Sequence, residues 1–183
     1  AAVLALCKYL IVGGPDFCND HISLLITVLE MAPEADLRAT VIACLGDLCV
    51  RYPNVTEPWT SRFYSKLQDS DPMVRRNAAG VLSHLVLNDM IKLKGQVSQL
   101  ALAIDDEDPR VAQLARLFFS ELAGKGSSLY NVLPDAISSL STGSIKQDAF
   151  RRVSTYLFSF LSKEREFEAL LEKLCTRFRT GAN

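Results

Sequence analysis

The sequence predicts an all-α chain, an armadillo-like solenoid of stacked antiparallel helix pairs. Three observations carry this reading. First, between residues 69 and 87, Val74, Ala78, Val81, Leu82 and Leu85 recur at helical spacing and make one apolar stripe. Second, the phrase returns at a fixed interval. Adding 37 to Pro72, Val74, Ala78, Leu82 and Leu85 gives Pro109, Val111, Ala115, Phe119 and Leu122. Subtracting 37 from Val74, Ala78, Leu82 and Leu85 gives Leu37, Val41, Leu45 and Leu48, and the pairs Asp71/Asp108 and Arg38/Arg75 keep the same interval. Third, no alternating run outcompetes helix as a strand. A helical phrase repeated every 35 to 47 residues or so marks stacked repeats.

Composition agrees. A chain of 183 residues suits one domain or about four to five helical repeats, and 49% apolar residues can fill a continuous core. The net charge of −1 gives no general pull toward DNA or anionic membrane, although local basic patches stay open. The apolar opening, Ala1 to Val12, is interrupted by Lys8 and has no basic leader, so it reads as a buried helix, not a signal peptide. No apolar run approaches the roughly 18 to 20 residues that span a bilayer. A start at Ala1 instead of Met suggests a piece of a longer polypeptide. The five cysteines are odd in number and lack C-x-x-C spacing, which points to free thiols in a reducing compartment and away from zinc.

Taken in order, residues 1–12 read as the closing helix of a repeat, ended by Gly13-Gly14-Pro15. His21 to Met31 and Ala35 to Val50 form the first pair, turning at Pro33. Tyr52-Pro53-Asn54 breaks the chain, and the Asn54-Val55-Thr56 sequon is expected in a loop. A helix over Pro58 to Leu67, with Trp59, Phe63 and Leu67 inward, pairs with the helix opened by Asp69 or Asp71 and Pro72. Asn88-Asp89 is expected to cap a helix over 90–104, whose partner follows Pro109. In the fourth pair, 127–140 and 145–161, Pro134 is expected to bend or split its helix. A last helix, 164–179, carries Phe167, Leu170, Leu171, Leu174 and Phe178 inward. The organisation is one solenoid segment, 1–179, with pairs near 20–51, 58–87, 90–123 and 127–162 and a tail at 180–183.

No residue constellation supports catalysis. His21 and His84 have no adjacent nucleophile or carboxylate signature and read as surface or packing residues. Gly124-Lys125-Gly126-Ser127 lacks the spacing and the preceding strand of a phosphate loop. Asp105 to Asp108 lack EF-hand spacing and suit a solvated turn at a helix N-terminus, where the dipole favours negative charge. No cofactor, metal or small-molecule substrate is expected. Basic residues gather at Arg75-Arg76, Lys92 and Lys94, and Arg151-Arg152; these are the candidate DNA contacts, against a default of a solvated face.

The pairs resemble HEAT repeats, whose usual Asp and Arg, six apart at the turn between helices, match Asp69 and Arg75. Elsewhere the match is partial: Ala32 stands where Arg38 would find its acid, and Ala112 replaces the arginine. Such pairs can form a ladder between repeats worth about 0–1 kcal/mol each if exposed, so apolar burial must dominate.

Longer phrases are more specific: Arg51-Tyr52-Pro53-Asn54, Pro58-Trp59-Thr60, the run Asp89 to Ser98, Lys125-Gly126 followed by Tyr130 to Asp135, and Leu174 to Arg179. On these the chain resembles the late HEAT segment of the condensin subunit 1 family, of the condensin I type. The resemblance implies a non-catalytic role in mitotic chromosome condensation, in the nucleus and on chromosomes, with cytoplasmic residence for part of the cell cycle. It implies binding to the kleisin, to an SMC ATPase head and to DNA, with no membrane partner. The head contact carries over to the Lys-Gly turn, Lys125 and Gly126. The competing expectation is a generic HEAT adaptor of the transport or signalling type.

Overall fold

The computed structural model describes residues 1–91, 96–125, 128–142, 145–161 and 164–180, and every regular element among them is helical. The chain forms two compact units, residues 1–92 and 93–183.

In the first unit, α1 (Ala2–Val12) ends where the Gly13 N–H donates to Tyr9 O at 2.8 Å. Gly14 then takes φ +89°, a conformation in which a side chain is strained, and α2 (Gly14–Met31) begins at once. The expected start at His21 was late because Pro15 lies in the first turn, where its missing N–H costs nothing. Helix α3 (Ala35–Arg51) follows the Pro33 turn. Tyr52 leaves helical geometry at φ −133°, and its hydroxyl donates to Ile11 O at 3.0 Å, tying the break to the end of α1.

The expected break holds a short α4 (Pro53–Thr56), and the helix expected over Pro58 to Leu67 is segmented into a 3-10 turn (Glu57–Trp59), α5 (Thr60–Ser65) and a second 3-10 turn (Lys66–Gln68). Pro53 and Pro58 each lack the donor that a continuous helix needs. The sequon is therefore helical instead of a loop, and Thr56 is buried with its hydroxyl directed to the Tyr52 and Pro53 carbonyls. Phe63, Tyr64 and Leu67 are buried, whereas Trp59 is only half-buried.

Helix α6 (Pro72–Leu87) opens on Asp71, whose side chain accepts from the Met73 N–H at 2.8 Å. Of its expected stripe, Val74, Ala78, Leu82 and Leu85 are fully buried and Val81 is half-buried. It packs on α3 so closely that a Cβ on Gly46 would lie 2.5 Å from Val81 Cγ1. After α6, Asp89 adopts a left-handed φ of 58°, and the Met90 N–H turns back to Leu85 O at 2.9 Å. Asn88-Asp89 thus closes one helix instead of opening the next.

In the second unit, α7 (Val97–Leu102) runs into a 3-10 turn (Ala103–Asp105), so the helix expected from Met90 is shorter than its spacing suggested. Helix α8 (Pro109–Gly124) is capped by Asp108, which accepts from the Arg110 and Val111 N–H groups, and it buries Val111, Ala115, Phe119 and Leu122 as the stripe predicts. Helix α9 (Ser128–Thr142) continues through Pro134 without splitting; Leu133, Ala136 and Ile137 are buried around the proline. Helix α10 (Gln147–Phe158) ends earlier than expected.

In α11 (Glu164–Thr180), Leu170 and Leu174 are buried, but Phe167 and Leu171 are 45% and 49% exposed, contrary to the inward placement. α9 packs against α11, and the buried leucines occupy only part of its wide apolar arc. The Phe178 side chain lies outside the described residues. Among the described residues, no helix is long and apolar enough to cross a membrane. All five cysteines are free; Cys7, Cys18, Cys44 and Cys49 are buried and Cys175 is exposed.

Candidate functional site

The turns between paired helices gather the first unit's buried charge. The Arg38 side chain points back from the first turn of α3, and its Nη1 donates to the Ala32 and Pro33 carbonyls at 2.8 and 2.9 Å. Its Nε and Nη2 donate to the two carboxylate oxygens of Asp69 at 3.0 and 2.8 Å. Asp69 also accepts from the Asp71 N–H at 3.1 Å and has Lys66 Nζ at 3.5 Å. One interval of 37 along the chain, Arg75 Nη1 donates to the carbonyls of Asp69 and Ser70. The sequence repeat is thus a repeat of hydrogen bonds.

This overturns one expectation. Arg38 has its acid, not at position 32 but in the following turn. Burial pushes the Asp69 carboxyl up; the Arg38 hydrogen bond, the Asp71 N–H and the charges of Arg38 and Lys66 outweigh it and hold the group below the usual range. The hydrogen bond to Asp69 in turn raises the Arg38 guanidinium.

The candidate contact residues fall in several environments. Lys125 is exposed at the C-terminal end of α8, its N–H donating to Leu122 O at 3.1 Å. The α8 stripe ends at Leu122, and Lys125 follows one turn later, beyond the buried face. Gly126, Lys92 and Lys94 lie outside the described residues. Arg75 is buried with its guanidinium on turn carbonyls, so its place among the surface cations is corrected: it braces the turn. Arg76 is half-buried along α6, with Nε donating to Pro72 O at 3.3 Å.

Arg151 is exposed on α10. Its neighbour Arg152 makes a bidentate pair with Asp105, both contacts at 2.7 Å, which lowers the Asp105 carboxyl chiefly through that hydrogen bond. The Arg116 guanidinium lies over the Tyr156 ring at 5.9 Å, and the Tyr156 hydroxyl donates to Arg116 O.

His21 stacks on Phe17 with centroids 4.3 Å apart, and His84 sits beside the Asn88 amide. Among the described residues, no group of three or more His, Cys, Asp or Glu could hold a metal ion.

Paired helices and, in the first unit, a hydrogen-bonded charge network repeated at successive turns define a helical-repeat protein. A designed armadillo repeat protein shares the fold, with a TM-score of 0.50 at 15% identity over 98% of this chain and 83% of that one. The chain belongs to the family described as non-SMC mitotic condensation complex subunit 1, whose family model matches residues 36–183. Condensin complex subunit 1 of Xenopus laevis is 45% identical over 98% of this chain. The condensin-1 complex subunit CAP-D2 of Arabidopsis thaliana is 45% identical over 97%. The chain spans 13% of the length of each of these relatives.

Proposed function

We propose that this segment is a non-catalytic scaffold of a condensin regulatory subunit, docking the SMC ATPase head and the kleisin during mitotic chromosome condensation. Membership of the condensin subunit 1 family, matched over residues 36–183, is the observation that carries this reading. The exposed Lys125 supports Lys125 and Gly126 as the head contact: a cation at a helix end can meet an acidic surface without rearrangement of the core. The action is conformational. The helical layers flex as a spring, and the turn engages the head only when bound nucleotide has arranged it. Such a protein works in the nucleus and on chromosomes.

Capture of the SMC head by this chain, with and without ATP and with Lys125→Asp, tests the docking. ATP-dependent capture lost in the variant supports it, and equal capture in all arms removes the assignment. For DNA, the proposed contacts stand unit by unit: the half-buried Arg76 in the first, the exposed Arg151 and Arg152 in the second, and Lys92 and Lys94, which lie outside the described residues. The set predicts an affinity that falls steeply with salt, and no binding at low salt overturns it.

A further inference from the structure

Three of the buried thiols meet at one junction. Cys7 of α1, Cys18 of α2 and Cys44 of α3 are buried where these three helices pack on one another. Cys7 and Cys44 stand one repeat interval, 37 residues, apart, so they hold the same position on two helices that pack side by side. Their thiols hydrogen bond to each other. Cys18 acts on Cys44 through charge only, and Cys49 is engaged elsewhere, in a hydrogen bond with Thr56.

The two bonded thiols are unequal. The hydrogen bond with Cys44 outweighs burial and the nearby Asp47 charge and holds Cys7 below its ordinary value. The same bond, together with burial and the charges of Cys7, Asp47 and Cys18, pushes Cys44 up. Cys7 is therefore the thiolate side of the pair and Cys44 the side that keeps its proton. That is the division between an attacking thiol and a resolving one.

We propose that Cys7 and Cys44 form a peroxide-sensitive dithiol that closes to a disulfide and fastens α1 to α3. The oxidant is a small hydroperoxide, of which hydrogen peroxide is the simplest. The Cys7 thiolate attacks one peroxide oxygen, the O–O bond breaks, and hydroxide leaves with the proton that Cys7 had lost, as water. The Cys44 sulfur then attacks the sulfenic sulfur of Cys7. The S–S bond forms, the S–O bond breaks, and the departing hydroxide takes the Cys44 proton to leave as a second water. Two thiols lose two electrons and one peroxide becomes two waters. The sulfurs start in hydrogen-bond contact and close to a bond of about 2.04 Å. A thiol reductant reverses the step.

The test treats the native Cys175→Ser chain with hydrogen peroxide; the substitution removes the exposed thiol that could pair between molecules. Remaining thiols are alkylated in denaturant, and the chain is cut with trypsin without reduction. The peptide ending at Lys8 should be found joined to Ala39–Arg51, with fragmentation placing the bridge on Cys44 and not on Cys49. A thiol reductant should abolish the joined peptide. Amide exchange over residues 2–12 should be at least about tenfold slower in the oxidised form. With Cys44→Ser added, the chemistry should stop at a sulfenic acid on Cys7, which dimedone traps. With Cys7→Ser added, Cys44 should stay unoxidised. The peptide map of the Cys175→Ser chain decides the matter even if a second serine prevents folding. Full alkylation of Cys7 and Cys44 after peroxide overturns the proposal. So does a bridge to Cys18 or Cys49, a dimedone label on Cys44 instead of Cys7, or unchanged exchange in α1.

Discussion

The Arg38 guanidinium and the Asp69 carboxylate meet across 31 residues of sequence, through two hydrogen bonds of 3.0 and 2.8 Å, at the turns of successive helix pairs. Their side chains are only 10% and 5% exposed, so the pair is a buried one rather than a solvated rung. Removing one partner leaves the other charged and desolvated. Asp69→Ala or Arg38→Met should each cost about 3–5 kcal/mol. The combined Arg38→Met/Asp69→Leu change should cost less than the sum, because neither member of the pair is left charged opposite a missing partner; the loss of the Lys66 contact with Asp69 remains. Urea unfolding of the three variants checks this.

The same pair sets an acid dependence. Asp69 titrates lower in the folded chain than in the unfolded one, so its contribution is present above the ordinary carboxylate pKa of about 4. It is lost as pH falls through the lowered folded value, where the native carboxylate takes up its proton. A melting-temperature series from pH 7 downward should fall on the acid side, and Asp69→Asn should make that fall shallower.

Gly46 is where α3 and α6 approach most closely through a missing side chain. Gly46→Ala puts its methyl against Val81 Cγ1, a stiff β-branched group, and should destabilise by about 1–3 kcal/mol. Part of that is offset by the roughly 1 kcal/mol that alanine gains over glycine within a helix. Adding Val81→Ala should recover stability, giving a favourable coupling in a double-mutant cycle.

The thiols should separate by burial. Burial pushes Cys18 and Cys49 up, and a hydrogen bond to Cys7 together with burial pushes Cys44 up, so these thiols are poor nucleophiles at neutral pH. A native chain treated with a chromogenic disulfide reagent should show one fast thiol, lost in Cys175→Ser, with the rest reacting only on unfolding.

The parts of the fold legible in the sequence were those where one stripe meets one cover. Val74, Ala78, Leu82 and Leu85, and their counterparts in α8, are buried, and only Val81 of the expected stripe is half-buried. Phe167 and Leu171 read the same way, but a stripe reports apolarity and not whether a neighbour is wide enough to cover it. The start at Met90 failed because Asp89 enters the left-handed region, which its residue type permits but does not require. The partner of Arg38 was missed because the acid was sought six residues away within one turn, while the rung runs between turns. The exposure of Lys125 was legible because glycines flank it in the sequence, while its role as a contact comes from the resemblance and stays a proposal. Arg75 was misplaced among surface cations because local charge density does not show that its guanidinium folds back on turn carbonyls.

The most direct test of the scaffold reading is the equilibrium affinity of this chain for an ATP-bound SMC head, compared among wild type, Lys125→Asp and a control, Lys146→Asp, at another exposed lysine. Lys125→Asp alone should bind at least about tenfold more weakly, by some 1.4 kcal/mol. Equal affinities for all three, or equal loss in both variants, would contradict the scaffold reading.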